Sequence, residues 1–236
     1  MIDLESKIQN LKSQIAGGLI VSCQAPSGSP LAKPEIIAAL AAVAEQNGAV
    51  GVRIDSPPHV LAVKQMVKVP VFGIYKIVSR ESEVYITPTY ASATEIAVAG
   101  CDVVAIDATS RPRPQDEKLA DIIKRIKSDL NLPVMADVST LDEGLKAADL
   151  AIDFISTTLS GYTHDTKHVT KPDFELISQL ARAVDVPILS EGRLRTPGDV
   201  QRAFESGAFA IVIGGAITGV DQLVQQFVSA TPRQRN

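Results

Sequence analysis

The chain has 236 residues, with 23 Lys plus Arg against 27 Asp plus Glu, and its net charge of -4 excludes a general nucleic-acid binder with a basic face. Hydrophobic residues make up 45% but aromatics only 4%, with no Trp, so the core must come from Ala, Val, Ile and Leu, and the two cysteines, Cys23 and Cys101, exclude a disulfide framework. The apolar run 36–44, between Glu35 and Glu45, is too short to span a bilayer, and Asp3, Glu5 and Lys7 break any signal-peptide core, so a cytoplasmic location is expected.

Leu4, Ile8, Leu11 and Ile15 recur at helical spacing, which predicts an amphipathic helix over 1–16. It is expected to close the bottom of whatever follows; its mixed charges disfavour the alternative, a membrane-surface helix. Eight short aliphatic runs come next, at 18–23, 49–54, 69–74, 102–106, 133–136, 152–155, 187–189 and 209–213, each followed by a helical pattern. Aliphatic runs alternating with helices mark a parallel sheet buried on both faces, and the spacing matches the roughly 30 residues a βα unit needs. Three odd-numbered runs begin after a proline, Pro70, Pro133 and Pro187, while Gly48, Gly100 and Gly207 stand ahead of even-numbered ones. Glycine just past a helix supplies a left-handed cap, and proline fits the first residue of a buried strand. A βαβα quarter repeated four times favours a closed (βα)8 TIM barrel over an open doubly wound α/β sheet. One domain over 1–236 is expected, with a polar tail at 231–236.

In such a barrel the chemistry lies at the C-terminal ends of the strands. Those positions are Gln24, Arg53 with Asp55, Lys76, Asp107, Asp137, Ser156 with Thr157, Glu191 with Arg193, and Gly214-Gly215. Charges at the rim of an apolar barrel are costly unless they pair, and both signs are present. Gly192, Arg193, Gly214 and Gly215 stand where loops 7 and 8 of this fold usually hold a phosphate, on backbone N–H groups; a tight turn is the plain alternative. Lys76 ends an apolar run and points a cation at the mouth, where it could serve as Schiff-base nucleophile, general base or counter-ion. Strands 3 and 7 are four apart in a ring of eight, so Lys76 and Glu191 should face each other. Two opposed proton carriers are what inversion of a carbon centre requires.

Other candidates read as structural. His164 and His168 have a metal pair's spacing but lie in a polar stretch with no third ligand, so no metal is expected. Cys23 has no histidine beside it. Thr140 to Glu143 reads as a capping box. The loop Arg111-Pro112-Arg113-Pro114 either closes over an anion or braces loop 4.

The segments Gly18 to Ala25, Val84 to Thr89, Ile106 to Pro114, Met135 to Thr140, Ser156 to Tyr162, Ser190 to Arg193 and Gly214 to Thr218 together resemble the N-acetylmannosamine-6-phosphate 2-epimerases. The resemblance runs in order from residue 18 to residue 218. It implies a TIM barrel, a carbohydrate epimerase without metal or other cofactor, and a role in sialic-acid and amino-sugar catabolism. It further implies a phosphorylated amino sugar as partner and a homodimer, while the acidic balance and the short apolar runs lead to no nucleic-acid or membrane partner being expected. Residue by residue it implies catalytic Lys76 and Glu191, with Gln24, Arg53 and Asp137 at the sugar and Gly192, Arg193, Gly214 and Gly215 at the phosphate. The segment Ile77 to Ser82 departs from the more acidic loop of the family. A Schiff-base lyase using Lys76 and a non-catalytic sugar-phosphate-binding barrel are the other readings.

Overall fold

A computed structural model describes residues 3–232; Met1, Ile2 and the last four residues of the polar tail lie outside the described residues. After helix α1 (Leu4–Ile15) come β1 (Leu19–Cys23), α2 (Pro34–Gln46), β2 (Gly51–Asp55), α3 (Pro57–Lys64), β3 (Val71–Ile74) and α4 (Tyr90–Val98). They are followed by β4 (Val103–Asp107), α5 (Leu119–Asp129), β5 (Val134–Asp137), α6 (Leu141–Ala148), β6 (Phe154–Ser156), α7 (Phe174–Ala183), β7 (Ile188–Glu191), α8 (Pro197–Glu205), β8 (Ala210–Ile213) and α9 (Val220–Ser229). All neighbouring strands are parallel, and β8 pairs with β1, so the sheet closes as the expected (βα)8 barrel.

The strands alternate strictly between two cores, as side chains two residues apart share a face. Outward residues such as Val21, Val52, Val104, Ile155 and Ile211 form one cluster with the helices. Inward residues Ile20, Phe72, Ile74, Val103, Ala105, Met135, Phe154, Leu189, Ala210 and Val212 form the other, filling the barrel. Continuing each inward series by one more step of two reaches Ser22, Arg53, Lys76, Asp107, Asp137, Ser156, Glu191 and Gly214. Apolar side chains therefore fill the lower barrel and polar ones its upper layer.

Helix α1 does close the bottom, because Leu11 and Ile15 join the inward cluster. Asp3 caps its start by accepting the Ser6 N–H at 2.9 Å. Asp55, Asp107, Asp137 and Glu191, which the sequence placed just beyond their strands, are the strands' last residues. The ladder carries on through them, pairing Asp107 with Asp137 and Glu191 with Val212.

Candidate active site

Arg53 stands at the centre of the polar layer, 1% exposed. It is the inward residue two steps above Gly51, whose missing side chain leaves room for the Phe72 ring and Ile20. Its guanidinium grips Asp137 with two bonds, Nη2 to Oδ2 at 2.6 Å and Nη1 to Oδ1 at 3.0 Å, and Nη1 also donates to Glu191 Oε2 at 2.8 Å. The planar fork is what allows one cation to serve two carboxylates. Thr158 adds a hydroxyl that donates to Asp137 Oδ1 and lies 3.1 Å from Glu191 Oε2. Thr157 fixes the backbone of Glu191, accepting its N–H at 3.1 Å and donating to its carbonyl at 2.9 Å.

Burial pulls against the charge on Arg53, but Asp137 and Glu191 outweigh it and hold the guanidinium above its ordinary range. Burial is also the main influence on Glu191 and raises its pKa; Asp137 adds to the rise, while Arg53, Thr158 and Lys76 oppose it.

Lys76 lies two residues beyond β3, where Tyr75 to Ile77 turns back as a short antiparallel hairpin with Tyr85 to Thr87. Ile77 N–H donates to the Tyr85 carbonyl and Thr87 N–H to that of Tyr75, both at 2.9 Å. Asp55 Oδ1 accepts the Lys76 backbone N–H at 2.9 Å. The ammonium donates to Gln24 Oε1, and Gln24 in turn donates to Ser22 Oγ at 2.8 Å. The lysine opens onto the mouth, yet crowding by the rim is the main cause of a lowered pKa. Asp55 is the strongest charge opposing that shift, Arg53 adds to it, and Glu191 and Asp137 oppose it.

At the opposite side, Gly192 has φ 117° and Arg193 φ 58°, so the chain turns sharply above β7. The Arg193 guanidinium is spent on loop 6: it donates to the carbonyls of Ser160 at 2.6 Å and Gly161 at 2.9 Å and lies 4.1 Å above the Tyr162 ring. What residues 192, 193, 214 and 215 offer an anion is backbone N–H, none of it engaged by other described residues. Gly214 also abuts Ser22, where a Cβ would approach to 3.2 Å.

The sequence thus brings Gln24 to Lys76, and Arg53 to Asp137 and Glu191, while Arg53 and Asp137 make no hydrogen bond to Lys76. Thr158 was missed, although it stands two residues past Ser156 on the inward face. Tyr85 was also missed; it is half-buried at the mouth, with a pKa raised by burial and by Asp137 and Asp107. Arg111 pairs with buried Asp107 at 2.7 Å, and Arg113 donates to the Pro88 carbonyl at 3.1 Å, so this loop braces its neighbours. His164 lies on the surface, 3.2 Å from Asp165. Among the described residues no cluster of His, Cys, Asp and Glu could hold a metal ion, and no helix is long and apolar enough to cross a membrane.

A family model described as "Putative N-acetylmannosamine-6-phosphate epimerase" matches residues 37–233. Proteins described as "Putative N-acetylmannosamine-6-phosphate 2-epimerase" share 50% identity in Thermosynechococcus vestitus, over 94% of this chain and 96% of the relative. The Clostridioides difficile relative of the same description shares 41%, over 92% and 97%. The solved structure of the N-acetylmannosamine-6-phosphate 2-epimerase from Clostridium perfringens superposes with a TM-score of 0.90 at 38% identity, covering 94% of this chain and 96% of that one. With nearly its whole length matched in this way, the chain belongs to the N-acetylmannosamine-6-phosphate 2-epimerase family.

Proposed function

We propose that the protein interconverts N-acetylmannosamine 6-phosphate and N-acetylglucosamine 6-phosphate by moving a proton at C2, with Lys76 and Glu191 as the two proton carriers. One observation supports this above the rest. Lys76 and Glu191 both feel the Arg53–Asp137 pair, and their environments shift their pKa values in opposite directions, Lys76 down and Glu191 up. Shifts in these directions make Lys76 a readier base and Glu191 a readier acid, and general acid–base catalysis of this kind contributes about 10²–10⁴-fold each.

In the open-chain sugar, C2 lies beside the aldehyde, which acidifies its hydrogen. One carrier takes that proton from one face, and the electron pair passes into the carbonyl as an enolate. The other carrier then gives a proton to the opposite face and the aldehyde re-forms. With neutral Lys76 and protonated Glu191 at the start, the cycle ends with the ammonium and the carboxylate, which is the starting state for the reverse reaction. Arg53 supplies permanent positive charge against the enolate. Gln24 aims the Lys76 amine, Asp137 and Thr158 hold Glu191 and Arg53 in register, and the N–H groups of Gly192, Arg193, Gly214 and Gly215 receive the phosphate. We read the chain as one barrel domain of the cytoplasm and as a homodimer, a reading supported by the exposed apolar residues Val224 and Phe227 of α9.

Proton NMR of the purified protein with each sugar phosphate tests the reading. Each epimer is expected to yield the other, with deuterium entering at C2 in deuterated water. Turnover without exchange would exclude the enolate, and a borohydride-trapped adduct on Lys76 would point to the lyase instead.

A further inference from the structure

The barrel ladder is uneven. Strands β1 and β2, β2 and β3, and β4 and β5 each hold four residue pairs in register, whereas β3 and β4, like β6 and β7, hold two. For β3 and β4 these are Phe72 with Val103 and Gly73 with Val104, and only there, among the described residues, does another segment enter between the two strands. Above Gly73 the two strands part, and the return arm of the hairpin, Tyr85 to Thr87, occupies the gap. It is bonded on one side to the end of β3, through Ile77 N–H and the Tyr75 carbonyl, and on the other to the end of β4, where Asp107 N–H donates to the Ile86 carbonyl at 3.0 Å. Lys76 pairs across this arm with Ile86 and stands on the splayed edge, away from the regular ladder.

One residue rivets the inserted arm. Thr87 is fully buried, and its hydroxyl accepts the Tyr75 N–H at 3.1 Å while donating to the Ala105 carbonyl of β4 at 2.7 Å. Its own N–H donates back to Tyr75. It does this at φ 46°, in the left-handed region, although a side chain branched at Cβ avoids that region and Pro88 further restricts the residue before it. A strained residue persists only where its surroundings over-determine it, and such residues gather at functional sites. Both backbone groups of Tyr75, immediately before Lys76, end on this one residue: the N–H on its hydroxyl and the carbonyl on its backbone N–H.

We infer that Thr87 is a positioning residue for Lys76: its hydroxyl, clamped between Tyr75 and β4, fixes the hairpin that aims the lysine into the mouth. This rests on Lys76 carrying the proton, as proposed above. A misplacement of about 1 Å in a reacting group can cost around 10²-fold. Misplacement also slows the proton transfer relative to the other steps. A loss of folded protein does neither per active molecule.

The test compares Thr87→Ser, Thr87→Val and Lys76→Met with the parent enzyme, using substrate carrying hydrogen or deuterium at C2. Thr87→Ser keeps the hydroxyl and is expected to stay within about threefold of the parent kcat. Thr87→Val keeps the shape and loses both bonds; kcat should fall about 10–100-fold with KM little changed, and the C2 isotope effect on kcat should rise. A Thr87→Val enzyme that folds and keeps the parent kcat and isotope effect overturns the inference. A rate loss with an unchanged isotope effect also overturns it, since that marks a loss of folded enzyme. If Thr87→Val does not fold, Thr87→Gly takes its place: it relieves the φ strain, removes the hydroxyl and is expected to show the same higher isotope effect, and an unchanged one refutes the role. Activity in Lys76→Met would sink the catalytic reading itself, which separates the two failures.

Discussion

Lys76 and Glu191 ordinarily titrate far apart, near ~10.4 and ~4.3. Burial at the rim moves both inwards, because it disfavours whichever form is charged. Both reactive states of the pair, amine with carboxylic acid or ammonium with carboxylate, hold one proton between them. They are therefore lost together when the pair gains a second proton or gives up its last. A plot of kcat/KM against pH should be bell-shaped, with both limbs inside the ordinary interval. Asp55 offers a way to move one limb alone. Its carboxylate accepts the Lys76 N–H and is the strongest charge favouring the ammonium, against Arg53 and alongside Glu191 and Asp137. Asp55→Asn keeps an acceptor oxygen but removes the charge, so the alkaline limb should move to lower pH while the acid limb stays. An alkaline limb that stays put or moves upward would show that Lys76 does not set it.

The elements repeat with a period of two strands, and the repeat has chemical content. The helices after β3, β5 and β7 each open on a capping box, at Thr89 and Ser92, Thr140 and Glu143, and Thr196 and Asp199. On the bottom face, Asp102 accepts the Val71 N–H at 2.8 Å and pairs with Lys64; Asp153 accepts the Val134 N–H at 2.8 Å and pairs with Lys127. The helices before β2, β4 and β8 end in Gly48, Gly100 and Gly207, all at φ between 93° and 99°. The quarter before β6 breaks the pattern. There Ala151 takes φ 55° and makes the same bond back three residues, to Ala148. Ala151→Gly should therefore stabilise the protein by about 0.5–1 kcal/mol, since relief of the left-handed strain exceeds the entropy cost of glycine. A melting temperature higher by about 1–4 °C would show it, and a lower one would show that this turn is unstrained. Proline, glycine and aliphatic runs make this repeat legible in the sequence, because each acts within a few residues. The inserted arm 85–87 is not legible there: it depends on β3 and β4 parting, which no local pattern announces. For the same reason the spacing places Lys76 and Arg53 correctly at the mouth, but not the bonds of Arg193, whose guanidinium turns to carbonyls some thirty residues away in sequence.

The whole molecule separates stability from chemistry along the barrel axis. Its net charge of -4 hides a mouth that holds Arg53, Lys76 and four unengaged backbone N–H groups, where an anionic sugar phosphate would sit. At the closed end the barrel interior is plugged by apolar side chains. Ile15 of α1 is fully buried in the cluster that fills the barrel, with Leu11 beside it. Between that plug and the rim lie packed inward side chains such as Phe72 and Phe154, in edge contact at 6.1 Å. Ile15→Ala removes buried methyl groups and leaves a cavity, which should cost about 2–5 kcal/mol, a large share of the ~5–15 kcal/mol that holds a typical domain together. Below the lowered melting point, kcat and KM should both stay within about twofold of the parent, because the polar layer is set by strand register and its own hydrogen bonds. Denaturant unfolding and steady-state rates on the same preparation decide the matter. A fall in kcat that matches the loss of stability, in protein that is still folded, would mean that the plug and the mouth move as one body.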